Sequence, residues 1–337
     1  MPSAPRAPRL SDVAQEAGVS PSTVSRALSG GGRMSATTRM RVVEAAERLR
    51  FRPDALAQFF ATGRSRTVGV MTHKAHATFT MPVLVGATAA LGAKEMAVLL
   101  SDGLTREDVE RFRGRRVDSL LVIGDGLGEH IRSVTADFAV PVAYAFGVSD
   151  GPGDVSFISD GVMAGRLATQ HLLDIGRTKV AHVTAQGDRA ADERVAGLQG
   201  VLDAAGLPLV GGAPMRGTWH RAWGVEAGRR LLADGVDVDA VFCGNDQIAG
   251  GLLEVLRDGG VRVPDDVAVV GVDNWPDTGS VDGERRLTSV DPLLGSLGRA
   301  AAEHLLSPDP AGAAPGVRSL PCELVVGDST VPGPTSR

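Results

Sequence analysis

The sequence predicts a small all-α helix-turn-helix head followed by an α/β core of two doubly wound parallel-sheet lobes. Three observations carry that expectation. Residues 10–29 hold two short amphipathic segments that meet at Gly18. From residue 67 the pattern changes to short apolar runs alternating with helical stretches, the signature of parallel strands covered by helices. The charge is divided too: residues 1–66 carry eleven Arg, no Lys and five acidic residues, a net +6, so the remainder of a chain totalling −5 carries −11.

Residues 1–9, rich in Pro, Ala and Arg, read as a loose tail. In the head, residues 10–52, Val13, Ala14 and Ala17 of the first helix face Val24, Ala27 and Leu28 of the second at helical spacing and close a miniature core. Gly18 permits the turn, Ser20 supplies a capping hydroxyl, and Pro21 fills a first helical position where its missing N–H costs nothing. Pro21, Ser22, Thr23, Ser25, Arg26 and Ser29 are left facing outward. Short hydroxyl side chains let a helix approach base edges and phosphates closely, and Arg26 is able to donate two hydrogen bonds to a guanine in the major groove. Ser20 and Arg33 complete the set of head residues placed against DNA. An ordinary amphipathic helical hairpin is the alternative reading of the same spacing. A third helix is expected over 36–49, capped by Ser35, with Met40, Val43, Ala46 and Leu49 on one face and Gly30 to Gly32 as the connection before it. Residues 53–66 form a hinge and linker in which 54–61 make one short helix, too brief to persist alone in water.

The core spans 67–327. Strands are expected near 67–72, 96–101, 119–124, 141–146, 155–158, 179–184, 240–243 and 267–272, and helices near 83–93, 161–175, 191–205, 222–233, 246–258 and 292–306. That is too many strands for one small sheet. The economical arrangement is one lobe from about 67–157 with 291–317 and a second from about 158–290 with 318–327, separated by a cleft. At 337 residues, 43% hydrophobic and 22% charged, the chain has the composition of a folded globular protein. Cys243 and Cys322 have no paired spacing, which points to a reducing compartment without disulfides. No apolar run reaches 18 residues and the N-terminus lacks an export signal, so a cytoplasmic, nucleoid-associated protein without membrane contact is expected. Residues 328–337 read as a second tail. The chain after Val326 lacks apolar heptads, which favours a dimer over a larger assembly.

The string Asp12 to Arg26, continued by Val42 to Ala46, Phe51, Pro53, Ala57 and Gly69, resembles the LacI/GalR family of bacterial transcription regulators. The resemblance runs from Leu10 to about Gly327 through His171 to Ala181, Arg194 to Gly197, Gly244 to Ala249, Pro264 to Asp273 and Leu287 to Val290. It implies a periplasmic-binding-protein-like core and a homodimer that sets two heads in successive major grooves of a near-palindromic operator. Paired hinge helices then enter the central minor groove. There the family's leucine wedge is matched by Phe60, preceded by Phe59, with Ala57 beside it. An aromatic is able to unstack a base step, or the two rings simply pack the hinge.

The resemblance also implies a small-molecule effector between the lobes. Arg194 matches an arginine that forks onto ligand hydroxyls or carboxylates, Asn245 and Asp273 match acceptors at strand ends, Trp219 matches a stacking aromatic and Phe79 an aromatic on the opposite lobe. An ion pair for Arg194 and Asp273, and core packing for Trp219, are the alternatives. Gly147 stands where several sugar-sensing relatives carry Asp, and Asp291-Pro292 replaces a common Arg-Gln pair. Trp275 either adds a second stacking surface or sits at the rim, and His73 faces the cleft mouth. A carbohydrate is the first choice of effector, and a purine or nucleoside acting as corepressor the second. Ligand binding is expected to lower operator affinity, as in inducible relatives.

Other signals are discounted. Gly124 to Glu129 lacks the glycine spacing of a dinucleotide loop, and His73 with His76 lacks further metal ligands. Asp102, Asp108 and Asp160 are scattered, and no catalytic arrangement is visible. Neither cofactor nor metal is expected, and the chain reads as a regulator rather than an enzyme. The remaining alternative, a solute-binding protein without a regulatory role, calls for an export signal.

Overall fold

In the computed structural model, residues 8–28, 34–52, 63–72, 79–126, 130–275, 287–310 and 312–331 are described. The chain divides into two units, Met1–Arg66 and Thr67–Arg337. Helix α1 (Leu10–Ala17) starts where the Arg9 N–H donates to Asp12 Oδ2 at 2.7 Å and stops at Gly18, whose φ of 62° is cheap only for glycine. Helix α2 (Pro21–Leu28) is capped by Ser20 Oγ, which accepts from the Thr23 N–H at 3.2 Å; Ser35 Oγ does the same for α3 (Ala36–Arg48) through the Thr38 N–H at 3.1 Å. Arg41 of α3 donates to the Ala17 carbonyl at 2.5 Å, tying the third helix to the end of the first.

The predicted miniature core is present: Val13, Ala14, Ala17, Val24 and Ala27 are buried and Leu28 packs against them. The predicted face of α3 is present only in part: Ala46 is buried and Leu49 packs against the core. Met40 and Val43 are 58% and 38% exposed, and the buried residues are Val42, Ala45 and Ala46. The helix is rotated by about one residue because two adjacent alanines let its backbone approach α1 and α2 more closely than a Met–Val face allows.

The larger unit holds two six-stranded sheets. The first comprises β1 (Thr67–Thr72), β2 (Ala97–Asp102), β3 (Ser119–Ile123), β4 (Val142–Ala145), β5 (Val155–Ser159) and β11 (Gly316–Leu320). They lie in the order β11-β5-β4-β3-β1-β2, all parallel. The second comprises β6 (Val180–Ala185), β7 (Met215–Gly217), β8 (Ala240–Cys243), β9 (Ala268–Val272), β10 (Thr288–Asp291) and β12 (Glu323–Val325). Its order is β12-β10-β9-β8-β6-β7, with only β12 antiparallel. The chain passes between the sheets after β5, after β10 and between β11 and β12, and the first two crossings are joined by Ser159 Oγ donating to the Pro292 carbonyl at 2.9 Å.

Helices α4 (Thr80–Gly92), α5 (Arg106–Arg115) and α10 (Leu294–Leu305) cover the first sheet; α6 (Gly161–Asp174), α7 (Arg189–Ala205), α8 (Arg221–Ala233) and α9 (Asp246–Asp258) cover the second. Four strands and one helix were not foreseen. Helix α5 carries seven charged residues among ten and buries little besides Val109 and Phe112, so its apolar periodicity is faint; its legible sign was the Thr105–Asp108 capping box. Strand β7 is three residues long, and β11 and β12 are partly exposed edges.

Three helix pairs meet through reciprocal glycines. A Cβ on Gly165 of α6 would lie 2.1 Å from the Arg194 carbonyl oxygen of α7, and one on Gly197 of α7 would lie 2.1 Å from the Val162 carbonyl oxygen of α6. Gly86 with Gly298, and Gly224 with Gly251, repeat this on α4/α10 and α8/α9. The helix carrying Arg194 is therefore held at backbone contact distance from the helix that leaves the first crossing. Among the described residues no helix is long and apolar enough to cross a membrane.

Candidate functional site

On the head, Ser20, Pro21, Ser22, Ser25 and Arg26 are exposed and Thr23 half-buried, while Val24 and Ala27 face the core. The Ser20 hydroxyl is bonded to those of Ser22 and Thr23 at 2.9 and 2.8 Å, so the start of α2 presents a preformed cluster of hydroxyls. The other head and hinge residues singled out from the sequence, Ser29, Arg33, Ala57 and Phe60, lie outside the described residues, as does His73.

A cavity of about 130 Å³ opens between the two lobes of the larger unit. Its walls come from the C-terminal ends of parallel strands, where open α/β sheets leave crevices. Gly124 and Asp125 follow β3, Phe146 and Gly147 follow β4, Asn245 follows β8 and Asp273 follows β9. Phe79, Arg194 and Trp219 also line it. Five of the predicted effector residues are thus brought together from both lobes. The sixth described one, Trp275, does not line this cavity but packs on Phe79, with ring centroids 5.4 Å apart and planes tilted by 52°.

Arg194 donates from Nη1 to the Gly244 carbonyl at 2.6 Å and lays its guanidinium 5.2 Å from the centre of the Trp219 ring. Its buried Nε has no hydrogen-bond partner. Trp219 is fixed on two sides: its indole N–H donates to Asp188 Oδ2 at 3.0 Å, and its carbonyl accepts from Asn245 Nδ2 at 3.0 Å. Asp188 in turn caps α7, accepting from the Ala190 N–H at 2.7 Å. Asn245 also caps α9 through Oδ1, which accepts from the Ile248 N–H at 2.9 Å, so its amide is committed to holding the aromatic wall.

Gly147 sits directly beside the Ile131 side chain. A Cβ there would lie 2.6 Å from Ile131 Cδ1, and one on Gly124 would lie 2.9 Å from the same atom, so a branched apolar side chain fills the space that an Asp would need. A Cβ on Gly126, whose φ is 73°, would strike the Phe146 ring at 2.3 Å. The segment discounted as a dinucleotide loop contributes to the cleft through Gly124, Asp125 and Gly126. Asp160, read as scattered, lines the same cavity and caps α6, accepting from the Met163 N–H at 2.8 Å.

Sequence reasoning missed Asp246. It is buried, accepting from the Ser289 hydroxyl at 2.7 Å and the Trp275 N–H at 2.8 Å, and burial pushes its carboxyl up to about 7. The only sign of it was its place after Asn245, at the start of an apolar helix. Burial likewise pushes the Asp273 carboxyl up to about 8; Arg194 opposes the shift, and Asp246 and Asp291 add to it.

These shifts have a definite sign. An Asp whose ordinary value is 3.8 holds its proton in the folded state up to about pH 8, whereas the unfolded chain loses it near pH 4. The folded state binds more protons over that window, so stability falls as pH rises through it. In thermal melts between about pH 5 and 8, the wild type should lose stability relative to Asp273→Asn, which has no charge to bury. Parallel curves would contradict this.

Residues 9–54 match the model of the bacterial regulatory proteins, lacI family, and residues 169–330 match the periplasmic binding protein-like domain. The chain is 32% identical over 315 residues to the HTH-type transcriptional regulator CelR of Thermobifida fusca, covering 89% of this chain and 92% of CelR. It is 30% identical over 271 residues to catabolite control protein A of Priestia megaterium, covering 78% and 81%. Among solved structures, the lac repressor dimer bound to operator and the anti-inducer ONPF aligns with a TM-score of 0.71 at 26% identity, covering 96% of this chain and 99% of that one. A complex of the transcriptional regulator CelR with cellobiose aligns with a TM-score of 0.62 at 30% identity, covering 96% and 99%. A helix-turn-helix head, a two-lobed core with aromatic, guanidinium and carboxylate groups at its strand ends, and likeness over nearly the whole chain lead to one conclusion: this chain belongs to the lacI family of bacterial regulatory proteins.

Proposed function

We propose that this protein is a cytoplasmic, nucleoid-associated repressor. As a homodimer it binds a near-palindromic operator through the exposed face of α2, and a sugar in the interlobe cleft releases it. The observation that carries the reading is the convergence of Arg194, Trp219 and Asp273 on one cavity. An aromatic face covers the C–H side of a pyranose, a guanidinium donates to its hydroxyl oxygens, and the protonated Asp273 carboxyl both donates to and accepts from its O–H groups. A carbohydrate is favoured over a nucleobase because Asp125, Asp160 and Glu193 border the cleft beside Asp273, and carboxylates pair with many hydroxyl donors. Relatives point the same way: CelR has been solved with cellobiose, and the lac repressor with its operator as a dimer.

The net +6 of residues 1–66 makes the DNA complex salt-sensitive. Operator affinity should fall by about 0.9 log units per log unit of salt for each phosphate contacted. Arg26→Ala should weaken operator binding by about 1–3 kcal/mol and relax discrimination at one base pair, leaving non-specific binding nearly unchanged. A gel-shift titration of wild type and variant against operator and scrambled duplex, with and without sugars, tests the reading. Equal affinity of the wild type for every duplex would overturn it.

A further inference from the structure

A second cavity, of about 520 Å³, adjoins the effector cleft, and Asp273, Pro292 and Leu294 border both. Three features mark it as built. Asp273 and Asn274, with φ of 111° and 50°, are two successive non-glycine residues in the left-handed region; such backbone persists only where its surroundings hold it. The holding groups are present. The Asn274 N–H donates to Ser289 Oγ at 2.9 Å, its Nδ2 to Asp291 Oδ2 at 3.0 Å, and the Trp275 N–H to buried Asp246 at 2.8 Å. The turn delivers Trp275 to the wall of the second cavity while its ring packs against Phe79, a wall of the first. Asp273 and Ser296 add polar groups to the same wall. The first cavity alone falls short of the roughly 300–1,000 Å³ usual for small-molecule sites, whereas the second lies within that range.

We infer that the effector is a saccharide of at least two units: one ring occupies the cleft at Trp219 and Arg194, and the next occupies the adjoining cavity with Trp275 as its stacking platform. Each cavity pairs an indole with acceptor groups, which is what a sugar ring with one C–H face and a rim of hydroxyls requires. Hence Trp275 sets chain length, whereas Trp219 serves every ligand. This inference rests on the carbohydrate reading of the cleft and narrows it.

Calorimetric titration of the full-length protein with glucose and cellobiose, xylose and xylobiose, galactose and lactose, and adenosine tests it. At least one disaccharide should bind about 10-fold or more tighter than its own monosaccharide. Trp275→Ala should remove most of that gain and leave monosaccharide affinity within about 2-fold, whereas Trp275→Phe should keep most of it. A monosaccharide or adenosine binding as tightly as every disaccharide overturns the two-unit site. So does an equal loss for both sugar lengths in Trp275→Ala, which would make Trp275 a prop for Phe79. If no sugar binds while adenosine does, the carbohydrate reading fails as a whole. If sugars bind without preference for length, only the two-unit inference fails.

Discussion

Arg194→Ala is expected to abolish the response to effector while leaving operator binding intact. Hydrogen bonds to a charged group contribute about 1.5–3 kcal/mol each, so losing a forked guanidinium should weaken effector binding by about 100-fold or more. The side chain is already oriented for that role: Nη1 rests on the Gly244 carbonyl, the guanidinium lies against Trp219, and Nε is buried without a partner. The fold should tolerate the change, because α7 is held by its Asp188 cap and its glycine contact with α6, neither of which uses the guanidinium. Calorimetry with the effector and gel shift with the operator separate the two outcomes. A variant released from DNA at wild-type effector concentrations would remove Arg194 from the site.

Gly165→Ala is expected to destabilise the core strongly. Its new Cβ would stand 2.1 Å from the Arg194 carbonyl oxygen, a backbone atom with no rotamer to escape into. Overpacking of this kind costs about 1–3 kcal/mol or more, so a penalty near 3 kcal/mol should lower the melting temperature by roughly 6 °C or more. Gly200→Ala is the internal control on the partner helix: a Cβ there meets nothing within 4 Å, and relieving glycine's backbone entropy should stabilise by about 0.5–1 kcal/mol. Since Gly165 packs on the residue that carries the guanidinium, Gly165→Ala should also weaken effector binding. Thermal melts of the three proteins decide the matter, and a Gly165→Ala variant as stable as wild type would refute the close packing.

Most of the head is legible in the sequence. Val13, Ala14, Ala17, Val24 and Ala27 are adjacent in sequence and pack within two short helices, so their spacing alone specifies their contacts. The third helix shows where such reasoning stops. Its pattern allowed a face built on Met40 and Val43, and the choice of Val42 with Ala45 and Ala46 depended on how closely three backbones approach one another. In the core, Phe79, Arg194, Trp219, Asn245 and Asp273 were identified correctly as neighbours across nearly 200 positions, on the strength of family resemblance rather than local pattern. In the folded chain Asn245 lines the cavity, and its amide also holds Trp219 and caps α9.

Local physics written in the chain, namely apolar periodicity, caps, turn residues and the division of charge, determined the existence and order of all the helices but Arg106–Arg115, the two-lobed arrangement and the basic head. Contacts between distant segments decided everything that makes the cleft particular. Ile131 fills the space beside Gly147, Asp246 is buried under Ser289 and Trp275, and a strained turn at Asp273 and Asn274 brings an indole from one lobe to a phenyl ring of the other. A one-dimensional pattern reports which face of an element is buried. It holds no measure of the distance between two elements, and that distance sets both the room for a ligand and the proton affinity of a buried carboxylate.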